Sequence, residues 1–213
     1  MPCFSPTNQQ NSFFASLSRP DRSSPAVRQG GATLARVETL NSKHVYTDAW
    51  LSVRRDRVRR WDGSDGDYTV VESADCSLVI PLDGDLVHLV EQYRYPVAGR
   101  RWEFPSGSRD QSDIDASAVA ARELREETGL IATTLRQLGS LDTMPSTLSQ
   151  QCTVFLATGL VEASPQRESE EQDMRSAWFT RSEVERLITD GSISDAKSIA
   201  AYALLLLETS SAG

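Results

Sequence analysis

Long apolar runs are missing from this chain. Its most apolar stretch, residues 203–207, is far short of the roughly 20 residues a helix needs to cross a bilayer, so no membrane-spanning helix is expected. Cysteine is scarce. The three, at positions 3, 76 and 152, are too few and too scattered for a disulfide framework or a zinc site. The N-terminus has no basic cluster followed by an apolar stretch, so no secretory signal is read there, and a reducing, cytoplasmic setting is expected. Basic charge is also in deficit. With 22 Lys and Arg against 30 Asp and Glu, the net charge is −8, which argues against general nucleic-acid affinity. An acidic protein can still take up a polyanion where bound metal inverts the local field.

What the chain does have is a concentration of carboxylates in one helical stretch, A-A-R-E-L-R-E-E-T-G-L at residues 120–130. At about 100° per residue, Glu123 and Glu127 project together and Glu126 stands beside them. Three carboxylates so close repel one another, and a divalent cation removes that penalty. Oxygen-only ligands suit Mg²⁺ or Mn²⁺, which commonly bridge to substrate phosphates. The bland alternative is a solvated acidic face with Arg122 and Arg125 as ion-pair partners. Gly129 ends the helix as a residue tolerant of left-handed dihedrals.

Upstream lies W-E-F-P-S-G at residues 102–107, then a polar loop to Asp115. With these residues the chain resembles a Nudix hydrolase, whose signature runs Gly, five residues, Glu, seven residues, Arg-Glu-aliphatic-any-Glu-Glu-any-Gly-aliphatic. Arg122, Glu123, Leu124, Glu126, Glu127, Gly129 and Leu130 fill its second half. The first half departs: six residues follow Gly107, and Ile114 occupies the first glutamate's place, flanked by Asp113 and Asp115. One of these aspartates could supply the missing carboxylate or simply cap the helix. The resemblance implies metal contacts from Glu123, Glu126, Glu127 and the Ser106 carbonyl, with Arg122 orienting them.

The chain on either side is similar to one subfamily, the ADP-ribose pyrophosphatases. E-Q-Y-R-Y-P at residues 91–96 precedes the W-E-x-P motif, and G-S-I-S-D-A-K-S at residues 191–198 resembles the subfamily's G-x-I-x-D-A-K-T. The likeness implies that Arg94 and Glu103 contact substrate or pair with each other. It implies that an aromatic of a small N-terminal sheet, here Trp50, stacks on adenine; a core or interface role for this tryptophan is the alternative. It also implies a late catalytic acid in the acidic loop 162–173, with Glu171 the best candidate and Asp173 next. In M-P-S-T-L-S-Q-Q, Ser146 and Gln150 stand where the subfamily has Gly and often Glu.

Three parts are expected. Residues 1–34, rich in Ser, Pro, Gln and Asn, read as a disordered arm. Residues 35–74 read as a small antiparallel sheet, with strands at 37–46, 51–61 and 68–72. The five arginines of its middle segment suit a solvated edge or a subunit contact. Residues 75–213 read as the α/β catalytic domain, an α/β/α Nudix sandwich with a mixed sheet. Strands are expected at 76–82 and 86–93 around the Asp83-Gly84 turn, and at 135–141, 152–157 and 175–179. A helix begins near Asp115, another is capped by Thr180 and Glu183, and a last one spans 195–208. The implied reaction is metal-dependent hydrolysis of ADP-ribose to AMP and ribose 5-phosphate by a homodimer, using two or more Mg²⁺ ions and no macromolecular partner beyond a second copy. Another nucleoside diphosphate sugar such as GDP-mannose is the alternative substrate, and a non-catalytic ligand-binding domain the alternative class.

Overall fold

The computed structural model describes residues 37–110, 113–164 and 173–211. The chain divides into two compact units that meet between Glu72 and Ser73. No helix among the described residues is long and apolar enough to cross a membrane.

The first unit is a three-stranded sheet in the order β1 (Glu38–Thr47), β2 (Leu51–Arg59), β3 (Asp65–Ser73). The β1–β2 turn is held by Asp48, whose Oδ1 accepts the backbone N–H groups of Trp50 and Leu51 at 2.8 and 2.9 Å. Trp50 stands 79% exposed at that tip. The expectation of an edge strand for the arginine-rich segment is corrected, because β2 is the central strand. Its charges are answered by acids on β3: Arg55 and Arg57 meet Asp67, Arg59 meets Asp65, and Arg54 meets Glu72. Cross-strand pairing of opposite charges makes a central position tolerable for so basic a strand.

The second unit is built on β4 (Cys76–Asp83), whose first six residues are all buried. Its alternation feeds two cores. Cys76, Leu78 and Ile80 join Cys152, Val154 and Leu156 of β9 (Gln151–Glu162) under α2 (Arg181–Thr189) and α3 (Ala196–Ser211). Val79 joins Phe155 and Ala157 on the opposite side, under Ala120 and Leu124 of the glutamate helix. A period of two along strands covered on both faces yields an α/β/α sandwich. β4 and β9 are parallel, and every other pairing with a stated direction in this sheet is antiparallel. The main path is β10 (Arg175–Thr180), β5 (Leu86–Arg94), β4, β9, β8 (Leu130–Asp142).

One irregularity positions the site. β4 and β5 pair only beside their turn, at Leu82 with Val87 and Asp83 with Leu86. Beyond that they part, and the next stretch of chain enters the opening. β6 (Gly99–Glu103) pairs with β5, and β7 (Ser106–Ser108) pairs with β4. Between them the Pro105 carbonyl accepts the Val79 N–H at 3.0 Å. The W-E-F-P-S-G segment thus crosses from one strand to the other in the middle of the sheet.

Candidate active site

The helix α1 (Ala116–Glu123) starts at Asp115, whose Oδ1 accepts the N–H groups of Ser117 and Ala118 at 2.9 and 3.0 Å. Its first turn is tied to β4 by the Ser77 hydroxyl, which donates to the Ala116 carbonyl at 2.7 Å. The last turn, Leu124–Thr128, is widened into a π-helical turn and ends at Gly129 with φ of 74°. The Thr128 hydroxyl bonds back to the Leu124 carbonyl within it. Such wide turns inside helices recur at functional sites. Leu130 then starts β8 directly.

Two of the three glutamates face inward. Glu127 is 1% exposed and Glu123 is 6% exposed. Burying carboxylates is costly without compensating partners. Against Glu123 lies Gly107: a Cβ there would fall 1.9 Å from the Glu123 Oε1, so only glycine lets the β7 backbone come so close.

Arg122 organises the exposed side of the cluster. Its Nη1 donates to Glu123 Oε1 at 2.7 Å and to Glu126 Oε2 at 3.0 Å. Its Nη2 reaches the Ser108 carbonyl and Asp113 Oδ2, both at 3.0 Å, and its Nε reaches Asp113 Oδ1 at 3.2 Å. Burial opposes the guanidinium charge, but Asp113, Glu123 and Glu126 together hold its pKa above the ordinary value. One side chain therefore links helix, strand and loop through a planar fork.

A family model described as the NUDIX domain matches residues 73–202, and one described as the nucleoside diphosphate sugar hydrolase N-terminal domain matches residues 37–71. This chain belongs to the Nudix family. It is 37% identical over 165 residues to an ADP-ribose pyrophosphatase of Mycobacterium tuberculosis, covering 76% of this chain and 80% of that protein. It is 26% identical over 175 residues to a methanol dehydrogenase activator of Bacillus methanolicus, covering 80% and 93%. In three dimensions it resembles a crystal structure of an ADP compounds hydrolase with TM-score 0.76 and 21% identity, over 86% of this chain and 99% of the other. The sandwich with its separate small sheet is thus the Nudix fold, and the protein is a Nudix hydrolase.

Nudix hydrolases generally use divalent metal ions, and the donor chemistry here fits one: hard carboxylate oxygens on one helix end, those of Glu123 and Glu127 buried, with Glu123 against a backbone cradle that a Cβ would fill. Among the described residues no three acidic, histidine or cysteine side chains converge as a metal centre. In this structure Glu123 and Glu126 are turned onto Arg122. Ser106, whose carbonyl the resemblance puts forward, sits in β7 opposite Leu78 of β4.

The other candidates fall in several places. Arg94 and Glu103 pair with each other, Nε to Oε1 at 2.9 Å and to Oε2 at 3.2 Å, with Glu103 buried. Asp173 is 61% exposed at its side chain and is held by Arg100, whose Nη1 donates to Oδ2 at 2.6 Å. Glu171 lies outside the described residues, as does the arm at 1–34. The two aspartates flanking Ile114 have separate tasks: Asp115 caps α1, while buried Asp113 grips Arg122. Gln150 donates from Nε2 to the Ala74 carbonyl at 2.7 Å, a structural contact within the second unit. Sequence reasoning missed Gly107 as the cradle of Glu123 and Ser77 as the tie to α1. The glycine's place in the signature was a usable signal; nothing in the local pattern marked the serine.

Proposed function

We propose that this Nudix hydrolase cleaves the pyrophosphate of a nucleoside diphosphate sugar, ADP-ribose giving AMP and ribose 5-phosphate. The observation that carries the reading is the pair of buried glutamates on one helix end, Glu123 seated against Gly107 and Glu127 one turn on, in a chain with the N-terminal domain of nucleoside diphosphate sugar hydrolases. The 37% identity to an ADP-ribose pyrophosphatase supports the substrate. Two or more Mg²⁺ ions, with Mn²⁺ as a substitute, would be held by Glu123, Glu126, Glu127 and the Ser106 carbonyl. When bound, such ions neutralise charge on the pyrophosphate and lower the pKa of an attacking water.

The chain's own groups do the rest. Arg122 fixes the carboxylates of Glu123 and Glu126 so that they present oxygens in a defined direction. Arg94 is neutralised and aimed by Glu103, which leaves its outer face for a phosphate oxygen or ribose hydroxyl. Trp50, exposed at its turn, is the stacking surface proposed for adenine. The proton of the attacking water goes to a loop carboxylate, and we assign this to Glu171. Asp173 is the weaker choice because Arg100 already holds its Oδ2. We read the setting as cytoplasmic and the assembly as a homodimer.

The test is a panel of ADP-ribose, ADP-glucose, GDP-mannose and NADH, each assayed with Mg²⁺, with Mn²⁺ and with chelator. Selective cleavage of ADP-ribose that is abolished by chelator is expected. Preference for GDP-mannose would move the substrate within the class, and binding of ADP-ribose without turnover would overturn the assignment as a hydrolase.

A further inference from the structure

The G-S-I-S-D-A-K-S segment that leads into α3 has no part in the proposed metal chemistry, yet it is tied closely to the strand carrying Glu103. The Trp102 N–H donates to the Ser192 carbonyl at 3.1 Å, and Arg101 Nε donates to Ser194 Oγ at 2.9 Å. The Phe104 N–H donates to the buried Ser198 Oγ at 3.0 Å. Ser198 in turn donates from both N–H and Oγ to Asp195 Oδ2 at 2.9 Å. Residues 192–198 are therefore laced along residues 101–104.

A cavity of about 420 Å³ lies between these segments, within the size range of small-molecule sites. Its charged lining is Arg94, Arg101, Lys197, Glu103 and Asp195. Arg94 is answered by Glu103, and Asp195 is occupied in capping α3. Arg101 and Lys197 have no carboxylate partner among the described residues; Arg101 spends donors on Ser194 Oγ and on the Arg100 carbonyl at 2.7 Å. Three cations against two carboxylates leave this lining with an excess of positive charge, carried by Arg101 and Lys197, which suits an anionic ligand.

The lining also says which part of a nucleoside diphosphate sugar would enter. It has no aromatic ring on which a purine could stack and no amide side chain to read a base edge. Cations, carboxylates and a hydroxyl around small aliphatic residues match a phosphorylated sugar instead. The cavity is within electrostatic reach of the glutamate helix: the Arg94 charge is stabilised first by Glu103 against the cost of burial, then also by Glu127 and Asp195.

Resting on the proposed pyrophosphatase reading, we propose that Lys197, with Arg101, is the specificity contact for the sugar-phosphate half of the substrate, holding the phosphate that leaves as part of ribose 5-phosphate. The test uses metal-free binding, by calorimetry, of ribose 5-phosphate, AMP and inorganic phosphate to the full-length protein and to Lys197→Met and Lys197→Arg. Loss of a charge-assisted contact predicts that Lys197→Met weakens ribose 5-phosphate about tenfold or more, leaves AMP within about twofold, and is largely restored in Lys197→Arg. With Mg²⁺, KM for ADP-ribose rises while kcat stays within about threefold. Equal weakening of AMP and ribose 5-phosphate, or weakening of neither, overturns the assignment. So does inorganic phosphate binding as tightly as ribose 5-phosphate, which would remove the sugar from the site. Wild-type turnover of ADP-ribose separates the two claims. No turnover sinks the pyrophosphatase reading, whereas turnover indifferent to Lys197 sinks only this one.

Discussion

Replacing Gly107 by alanine isolates the contact on which the site is built. The new Cβ would stand 1.9 Å from Glu123 Oε1, 2.3 Å from Cδ and 2.7 Å from Oε2. Ordinary contact begins near 3.5 Å, so the carboxylate must retreat by more than about 1 Å. It has little room to do so, being 6% exposed and bonded to Arg122 Nη1 at 2.7 Å. Either the carboxylate swings away or β7 lifts from β4. Overpacking of this kind costs about 1–3 kcal/mol, a fall in Tm of a few degrees for a domain of this size. Misplacing a catalytic group by about 1 Å costs on the order of 10²-fold in rate. Gly107→Ala should therefore lose about a hundredfold in kcat and need more Mg²⁺ for half-saturation, while remaining folded by circular dichroism. Shortening the neighbour by one methylene, Gly107→Ala with Glu123→Asp, should recover part of the loss, giving a positive coupling in a double-mutant cycle. Retention of kcat and Mg²⁺ dependence within threefold in the single mutant would refute the cradle.

Glu127→Gln keeps the volume of a buried side chain and removes its charge, so turnover should vanish with the fold intact; kcat within threefold of wild type would remove Glu127 from the metal set. For the loop, Glu171→Gln should lower kcat by about 10²–10⁴, as a positioned acid–base group does, while Asp173→Asn, already engaged by Arg100, should change it little. Measured at saturating substrate and Mg²⁺ in low and high salt, the reverse order would move the base to Asp173, and two near-parental mutants would place it elsewhere. At Tyr202 the phenol pKa is pushed up to about 12, first by burial and then by Glu185. A raised value in the folded state means the neutral phenol is stabilised, so this contribution is complete below about pH 10 and is lost as pH rises towards 12. Tyr202→Phe should flatten the alkaline loss of stability in urea midpoints taken between pH 9 and 11; an unchanged slope would rule the phenol out as its source.

Much of the fold was legible because its signals are local. Short apolar runs marked β4 and β5, Asp83-Gly84 marked their turn, and Thr180 with Glu183 forms the capping box expected at α2. What was missed depends on long-range geometry. β6 and β7 are short and were not expected, since nothing in G-R-R-W-E alternates. They become strands because β4 and β5 separate and leave backbone groups that the next segment must satisfy. The arginine-rich β2 was misread for a related reason: charge alone suggested an edge, whereas acids supplied by β3, from Asp65 to Glu72, let it lie in the centre.

The site divides along the same line. The register of Arg122, Glu123, Glu126 and Glu127 belongs to one helix and was readable from spacing, including the Arg122–Glu126 contact one turn apart. The departure at Ile114 was readable too, but not its resolution. A helix cap needs an extended residue just before the first turn, and Asp115 has that backbone. Asp113 is then left two residues further out, where the loop folds back and places both its oxygens on Arg122. Glu123 and Glu126 occupy the other edge of the same guanidinium. The carboxylate beside the vacant signature position thus acts on the glutamates through the arginine. Asp113→Asn should on this argument leave α1 capped and the protein folded, yet loosen Arg122 and lower kcat, whereas Asp115→Asn should preserve kcat, since asparagine also caps helices. Equal kcat in the two variants would show that the fork needs no anchor on its outer side.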